Sequence, residues 1–240
     1  MKKNLLNISV ILIVFIFIMG CNKKEEPAPT PTPTPTNQYL NGLGDHIGYP
    51  SGTAYNLPPA VQLVSEIRGG SFNKISTVNK HEYSGPFPYG LIPKNWITYG
   101  TGTYVQLYMK LYNTLTVDTT IIFPGGLIFC DTLDNDTSNG EYQRGFILQN
   151  AVVTCPAQDT AFVCLLAYCL NASLSGSSYD AVYYIGPVTN NPNLNQVVSI
   201  MASKQPPLGA EWDIQGIIWN ITDYGLNLTQ QDLDYLNNLP

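Results

Sequence analysis

The stretch Tyr104-Val105-Gln106-Leu107-Tyr108-Met109-Lys110-Leu111-Tyr112-Asn113 decides the fold class. Val105, Leu107, Met109 and Leu111 alternate with Tyr104, Gln106, Tyr108, Lys110 and Tyr112. Alternation with period two puts successive side chains on opposite faces of a strand, so the first set faces a core and the second is half wet. Downstream, residues 119–123 and 127–130 read as strands broken by Pro124-Gly125-Gly126. Residues 146–155 and 161–170 read as an antiparallel pair around Pro156-Ala157-Gln158-Asp159. Repeated strands at this spacing predict a mainly β fold, an antiparallel β-sandwich.

Outward from that block the pattern changes. Residues 37–102 are irregular and rich in Gly, Pro and Tyr, with short apolar pieces such as Val61 to Ile67, and predict a loose wrapping with few strands. Towards the C-terminus, Leu194, Val197, Val198 and Met201 recur at helical spacing, as do Ile214, Ile217, Ile218 and Ile221. Thr229 followed by Asp232 reads as a capping-box start for a helix over 230–236. The C-terminal part is therefore a small helical addition packed on the sheets. No internal repeat interrupts this order.

The N-terminus sets the address. Met1-Lys2-Lys3 is a short basic start, residues 8–19 are almost wholly apolar, and Ile18-Met19-Gly20-Cys21 places a small residue before a cysteine. This is a lipoprotein signal peptide over 1–20, too short and wrongly flanked for a membrane span. Cys21 becomes the lipidated first residue, and two or more acyl chains anchor a protein stably, each buried CH₂ contributing ~0.8 kcal/mol. The membrane is thus one partner, through the lipid. Residues 21–38 form a charged, Pro/Thr-rich tether in which Pro27 to Thr36, PAPTPTPTPT, favours a stiff polyproline II stalk. Residues 39–240 form a single extracellular domain.

Composition narrows the partners. Only 12% of residues are charged, the formal net charge is −6, and no basic patch exists to displace counterions from phosphates, which excludes nucleic acid. Few charges together with 16 Tyr and 20 Gly suit an all-β extracellular domain. Cys130, Cys155, Cys164 and Cys169 remain after Cys21. Export to an oxidising compartment predicts disulfides among these four, in any of three pairings. Their spacing is not that of zinc ligands, and only His46 and His81 add imidazoles, so no metal or cofactor is implied. His81 beside Glu82 reads as a surface loop. Asp134, Asp136 and Ser138 alternate as a calcium loop begins, but Asn139 stands where such a loop needs Gly, and the stretch reads as a solvated connection between strands. No hydrolase or phosphate-binding signature is present, and the chain reads as a binding protein rather than an enzyme, with no catalytic residue assigned.

Three short patterns resemble known families. Lys24-Glu25-Glu26 is similar to the signal, a lysine and two acids after the lipid cysteine, that sends lipoproteins of one group of Gram-negative bacteria to the outer face of the outer membrane. Asp118-Thr119-Thr120, Asp131-Thr132-Leu133 and Asp159-Thr160-Ala161 resemble the O-glycosylation acceptor of the same group, and Asp-Thr also starts turns for local reasons. Tyr168-Cys169-Leu170-Asn171, with Ile214-Gln215-Gly216-Ile217-Ile218-Trp219 and Thr222-Asp223, resembles the two halves of the thioester domains of bacterial surface adhesins. That resemblance implies a thiolate at Cys169 attacking the Gln215 carboxamide, release of ammonia, and an internal thioester open to an amine on a host protein. It departs from the family pattern at Ile217, where Ala is usual, in the short interval between the halves, and in the odd cysteine count that a thioester would leave. The alternative is a disulfide at Cys169 and a hydrogen-bonded buried amide at Gln215.

These readings converge on a lipid-anchored cell-surface binding or adhesion module of a Gram-negative bacterium, facing a protein or glycan ligand. The alternatives are a covalent thioester adhesin, a structural envelope lipoprotein, and a carbohydrate-binding accessory protein that stacks sugars on Trp96, Tyr99 and Tyr104.

Overall fold

In the computed structural model, which describes residues 40–70, 95–135 and 137–240, the stretch around Leu107 is a nine-residue strand. The strands in chain order are β1 (Gly52–Ala54), β2 (Val61–Leu63), β3 (Ile67–Gly70), β4 (Ile97–Tyr99), β5 (Val105–Asn113), β6 (Thr119–Phe123), β7 (Leu127–Asp131), β8 (Asp134–Asn135), β9 (Ser138–Asn139), β10 (Gly145–Phe146), β11 (Ala151–Cys155), β12 (Thr160–Cys169) and β13 (Val182–Thr189). Three helices follow, α1 (Pro192–Met201), α2 (Ala210–Thr222) and α3 (Gln230–Asn238).

On β5, Val105, Leu107, Met109 and Leu111 are fully buried, as the alternation predicts. The opposite face is drier than expected: Gln106 and Tyr108 are also buried, and of the alternate set only Lys110 is exposed. The cause is a second cover. Ser177 Oγ accepts from the Gln106 N–H at 3.2 Å, and the Trp96 ring packs edge-on against Tyr108 at 5.2 Å.

The main sheet closes on itself. β5 pairs with β3, β3 with β13, β13 with β7, β7 with β10, β10 with β12 and β12 with β5, all antiparallel. The architecture is therefore a six-stranded barrel with β1, β2 and β4 added at its edges, rather than a plain sandwich. The closing element is the ten-residue β12. Thr160 to Ala167 pair with β5, and Tyr168 and Cys169 pair with Phe146 and Gly145 of β10. Gly145 makes that closure fit, because a Cβ there would lie 3.1–3.3 Å from Leu107, Val105 and Ala167. A closed sheet leaves no long unpaired edge between its members.

The predicted pairing of 146–155 with 161–170 is corrected. That segment divides at Ile147–Asn150: β10 joins the barrel, and β11 pairs with β6, Ala151 against Phe123 through Cys155 against Thr119. The edges of β12 are already taken by β5 on one side and by β4 and β10 on the other, so no ladder remains for β11. The β6–β11 ribbon instead turns Ile121, Phe123, Val153 and Cys155 onto the barrel core and leaves Ile122 and Val152 exposed.

Two cores result, divided by the pleat. Leu127 and Phe129 of β7 and Val163, Leu165, Ala167 and Cys169 of β12 face the barrel interior. Ile128, Cys130, Tyr168 and Leu170 face the opposite side, where the helices cover them with Leu194, Val197, Ile214, Ile218, Ile221 and Leu236. The helix starts follow local rules. Asn191 Oδ1 accepts from the Asn193 and Leu194 N–H groups, and Thr229 with Asp232 forms a complete capping box.

Candidate functional site

β12 ends at Cys169 and the chain leaves through Leu170-Asn171-Ala172, while α2 crosses this strand end with Gln215 in its second turn. Both Cys169 and Gln215 are completely buried. The Gln215 side chain and the Cys169 peptide unit are joined twice. The Cys169 N–H donates to Gln215 Oε1 at 2.8 Å, and Gln215 Nε2 donates to the Cys169 carbonyl at 2.7 Å. The amide thus completes the β ladder where β12 runs out of partners, since a buried amide left unpaired is costly.

The Cys169 sulfur points into the barrel core. Its thiol donates to the Asn171 carbonyl at 3.2 Å and accepts from the Asn171 N–H at 3.3 Å. Burial pushes the thiol pKa up to about 12; the Asn171 N–H pulls it down, and Asp223 pushes it up further. Trp219 lies one turn beyond Gln215 on the same face of α2. Its Nε1 is buried without a hydrogen-bond acceptor, as is Asn171 Nδ2. Tyr104 sets its ring edge-on to Trp219 at 5.1 Å and to the exposed Trp212 at 5.3 Å.

The end of α2 completes the surroundings. Asp223 Oδ1 accepts from the Ala172 N–H, and Oδ2 from the Thr222 hydroxyl. Burial raises the Asp223 pKa, while those two donors and His46 lower it. The segment carrying His46 reaches this point because the Gly44 N–H donates to the Leu170 carbonyl, and Gly44, at φ +55°, lies so close to the Thr222 carbonyl that a side chain there would collide. Arg144 holds the same segment from the other side. Its guanidinium is fully buried, paired with Asp134, and donates to the Gly42 and Gly48 carbonyls, while its backbone N–H donates to Asn171 Oδ1. Chemically, the site is a dry thiol on the residue whose peptide unit the Gln215 carboxamide holds, and the carbonyl oxygen of that amide accepts one backbone N–H.

The other residues singled out from the sequence lie apart. Cys130, Cys155, Cys164 and Cys169 are all free and buried, which corrects the expected disulfides. Cys164 and Cys169, five residues apart on one strand, face opposite sides. Cys130 faces the helices. Cys155 shares the barrel interior with Cys169, but its sulfur lies by the Leu111 carbonyl, at the other end of β5 from Val105 and roughly 25 Å along the strands from Cys169. Trp96, Tyr99 and Tyr104 form no common platform. Trp96 packs on Tyr108 and Phe162, Tyr104 on Trp212 and Trp219, and Tyr99 sits in β4 beside the barrel core. Trp96 and Tyr108 do line, with Arg68, Lys110 and Tyr179, a surface hollow of about 250 Å³.

Asp134 serves Arg144, and Asp131 accepts the N–H groups of Leu133, Glu141 and Tyr142, so both are used within the fold. Among the described residues no group of three metal-ligating side chains occurs. Of the Asp-Thr threonines, Thr132 is exposed, whereas Thr119 and Thr160 are half-buried in strands. Cys21, Lys24, Glu25, Glu26, the Pro/Thr stalk, His81 and Asp136 lie outside the described residues. Tyr104, the 42–48 segment and Arg144 carry no sequence signal that ties them to the site, apart from the rarity of a charged residue in a chain so poor in charge. No protein-family model matches the chain, nor does any curated protein or solved structure.

Proposed function

We propose that the chain is a lipid-anchored cell-surface adhesion module that attaches to amine-bearing partners through a thioester between Cys169 and Gln215. The observation that carries this reading is the double hydrogen bond that fastens the Gln215 amide to the peptide unit of Cys169, the residue that bears the buried thiol. In the first step the sulfur bonds to Gln215 Cδ, the Cδ–Nε2 bond breaks, and the thiol proton leaves with the nitrogen as ammonia. In the second, a partner amine bonds to the same carbon, the C–S bond breaks, and the amine proton returns to the sulfur. Each molecule reacts once, so the chemistry serves attachment rather than turnover. The buried setting supports it, because water excluded from the acyl sulfur does not hydrolyse it.

The Cys21 lipid and the stalk then hold the domain at the cell surface, and the Lys24-Glu25-Glu26 signal turns it outward, at the outer membrane. A second reading, non-covalent glycan binding, draws on the hollow beside Trp96 and Tyr108. Methylamine distinguishes them. A thioester opens with a mass gain of about 31 Da per molecule, localised to Gln215, and the gain disappears in Cys169→Ala. A chain inert to methylamine while it binds a glycan array supports the second reading instead.

A further inference from the structure

We propose that the hollow beside Trp96 and Tyr108 binds an acidic sugar, a hexuronic or sialic acid residue whose carboxylate is held between Lys110 and Arg68. The assignment rests on the glycan reading of that hollow, which it makes specific, and not on the bond between Cys169 and Gln215. It starts from the scarcity of charge. Among the described residues the lysine and arginine side chains are those of Arg68, Lys110, Arg144 and Lys204. Arg144 is buried against Asp134, and Lys204 Nζ donates to the Asn237 and Leu239 carbonyls at the end of α3. The other two converge. Arg68 of β3 pairs with Tyr108 of β5, and Lys110 lies two residues further along β5 on the same face, a diagonal neighbour roughly 7–8 Å away. Both line the hollow. In a chain of net charge −6, two neighbouring cations make a local site that attracts anions.

Both cations are positioned without being neutralised. Lys110 Nζ stands 5.4 Å over the ring of Phe162, its cross-strand partner on β12, and the Arg68 guanidinium stands 5.7 Å over the Tyr179 ring. A ring face attracts a cation and leaves its charge in place. Lys110 forms no ion pair with a carboxylate of the described residues. Arg68 does so through Nη2 to Glu66, with both side chains partly exposed, where such a pair contributes little. A guanidinium has further donors with which to meet a second carboxylate. Size and walls choose the rest of the ligand. The hollow holds about 250 Å³, below the ~300–1,000 Å³ of a drug-sized site, which suits one sugar ring. Trp96, Tyr108 and Tyr179 wall it, and Trp96 is braced at 5.2 Å by Tyr108 and at 5.5 Å by Phe162. An acidic sugar matches both parts, since its ring carbons meet the aromatic walls and its carboxylate meets the cations. A run of acidic side chains would also meet Glu66, which repels it.

The test titrates the full chain carrying Cys21→Ser with methyl glucuronide, methyl sialoside, methyl glucoside, acetate and tetraglutamate, and reads affinity by NMR. At least one acidic glycoside is expected to bind tenfold or more tightly than the glucoside, because the carboxylate adds charge-assisted hydrogen bonds. Lys110→Met keeps most of the stem, is expected to weaken that binding at least tenfold with the melting temperature unchanged, and Lys110→Arg to restore it. Glu66→Gln removes the competing carboxylate and is expected to strengthen it. Equal binding of the glucoside keeps the glycan reading and overturns the acidic-sugar assignment. Equal binding of acetate or tetraglutamate shows a site for charge alone and also overturns it. Acidic-sugar binding that survives Lys110→Met places the carboxylate elsewhere and overturns it as well. A chain that binds none of the probes overturns the glycan reading together with the assignment.

Discussion

Arg144 and Asp134 form a two-point ion pair with neither side chain exposed, Nε to Oδ2 at 2.8 Å and Nη2 to Oδ1 at 2.9 Å. The third guanidinium nitrogen, Nη1, donates to the Gly42 carbonyl at 2.6 Å, so one buried cation ties the acidic loop and the 42–48 segment to the strand end that carries Asn171. Removing only the cation strands a buried carboxylate. Arg144→Met is expected to lower the unfolding free energy by about 3–5 kcal/mol, and Asp134→Leu in the same chain to recover most of it. Urea unfolding of the two single variants and the double variant measures this. Additive losses would mean that the two groups are independent.

Barrel closure depends on a glycine. Gly145→Ala puts a methyl against Leu107, Val105 and Ala167 and is expected to cost about 1–3 kcal/mol. Gly216 in α2 faces open space, and Gly216→Ala is expected to stabilise by about 0.5–1 kcal/mol. Thermal unfolding of the pair checks both signs. Tolerance of alanine at 145 would argue against the β10–β12 closure.

Where prediction from the sequence succeeds and fails follows from the range of the interactions. The alternation in 105–111 is local and specifies a strand by itself. The partner of β11 is not local: its own pattern suits any ladder, and only the two occupied edges of β12 send it to β6. The wet face expected for β5 is dry because Ser177 and Trp96 arrive from elsewhere in the chain. The Cys169 and Gln215 motifs are each visible as short strings, and the structure brings them together. Tyr104 and the Gly42–Gly48 segment enter the same site through tertiary packing alone. The disulfide expectation rested on the compartment, and strand geometry separates the four sulfurs.

The buried thiols give the fold an alkaline limit. Burial pushes Cys164 up to about 11 and Cys130 up to about 12, from an ordinary value near 9. Between the unfolded and folded values the native state holds more protons than the unfolded chain, so stability falls as pH rises through that window and is unaffected below it. Moving from pH 7 to pH 10 is expected to cost about 1 kcal/mol for Cys164 alone. Cys164→Ala should flatten the pH dependence of urea stability by that amount. An unchanged slope would show that this thiol does not titrate on unfolding.

The proposed anchor has a direct consequence. Cys21→Ser removes the thiol that is proposed to be acylated, and the variant is expected to leave the membrane fraction. Fractionation after a high-salt wash checks it, and retention of the Ser variant with membranes would count against lipidation at Cys21.

The central claim is the bond between Cys169 and Gln215, and the intact mass of the freshly purified Cys21→Ser chain under denaturing, non-reducing conditions tests it most directly. A thioester leaves the chain about 17 Da lighter than its sequence, by the loss of one ammonia, and this deficit vanishes in Cys169→Ala and in Gln215→Ala. A mass equal to that of the sequence, or lighter only by the about 2 Da of each disulfide, would contradict the account and leave Gln215 as a structural tie between β12 and α2.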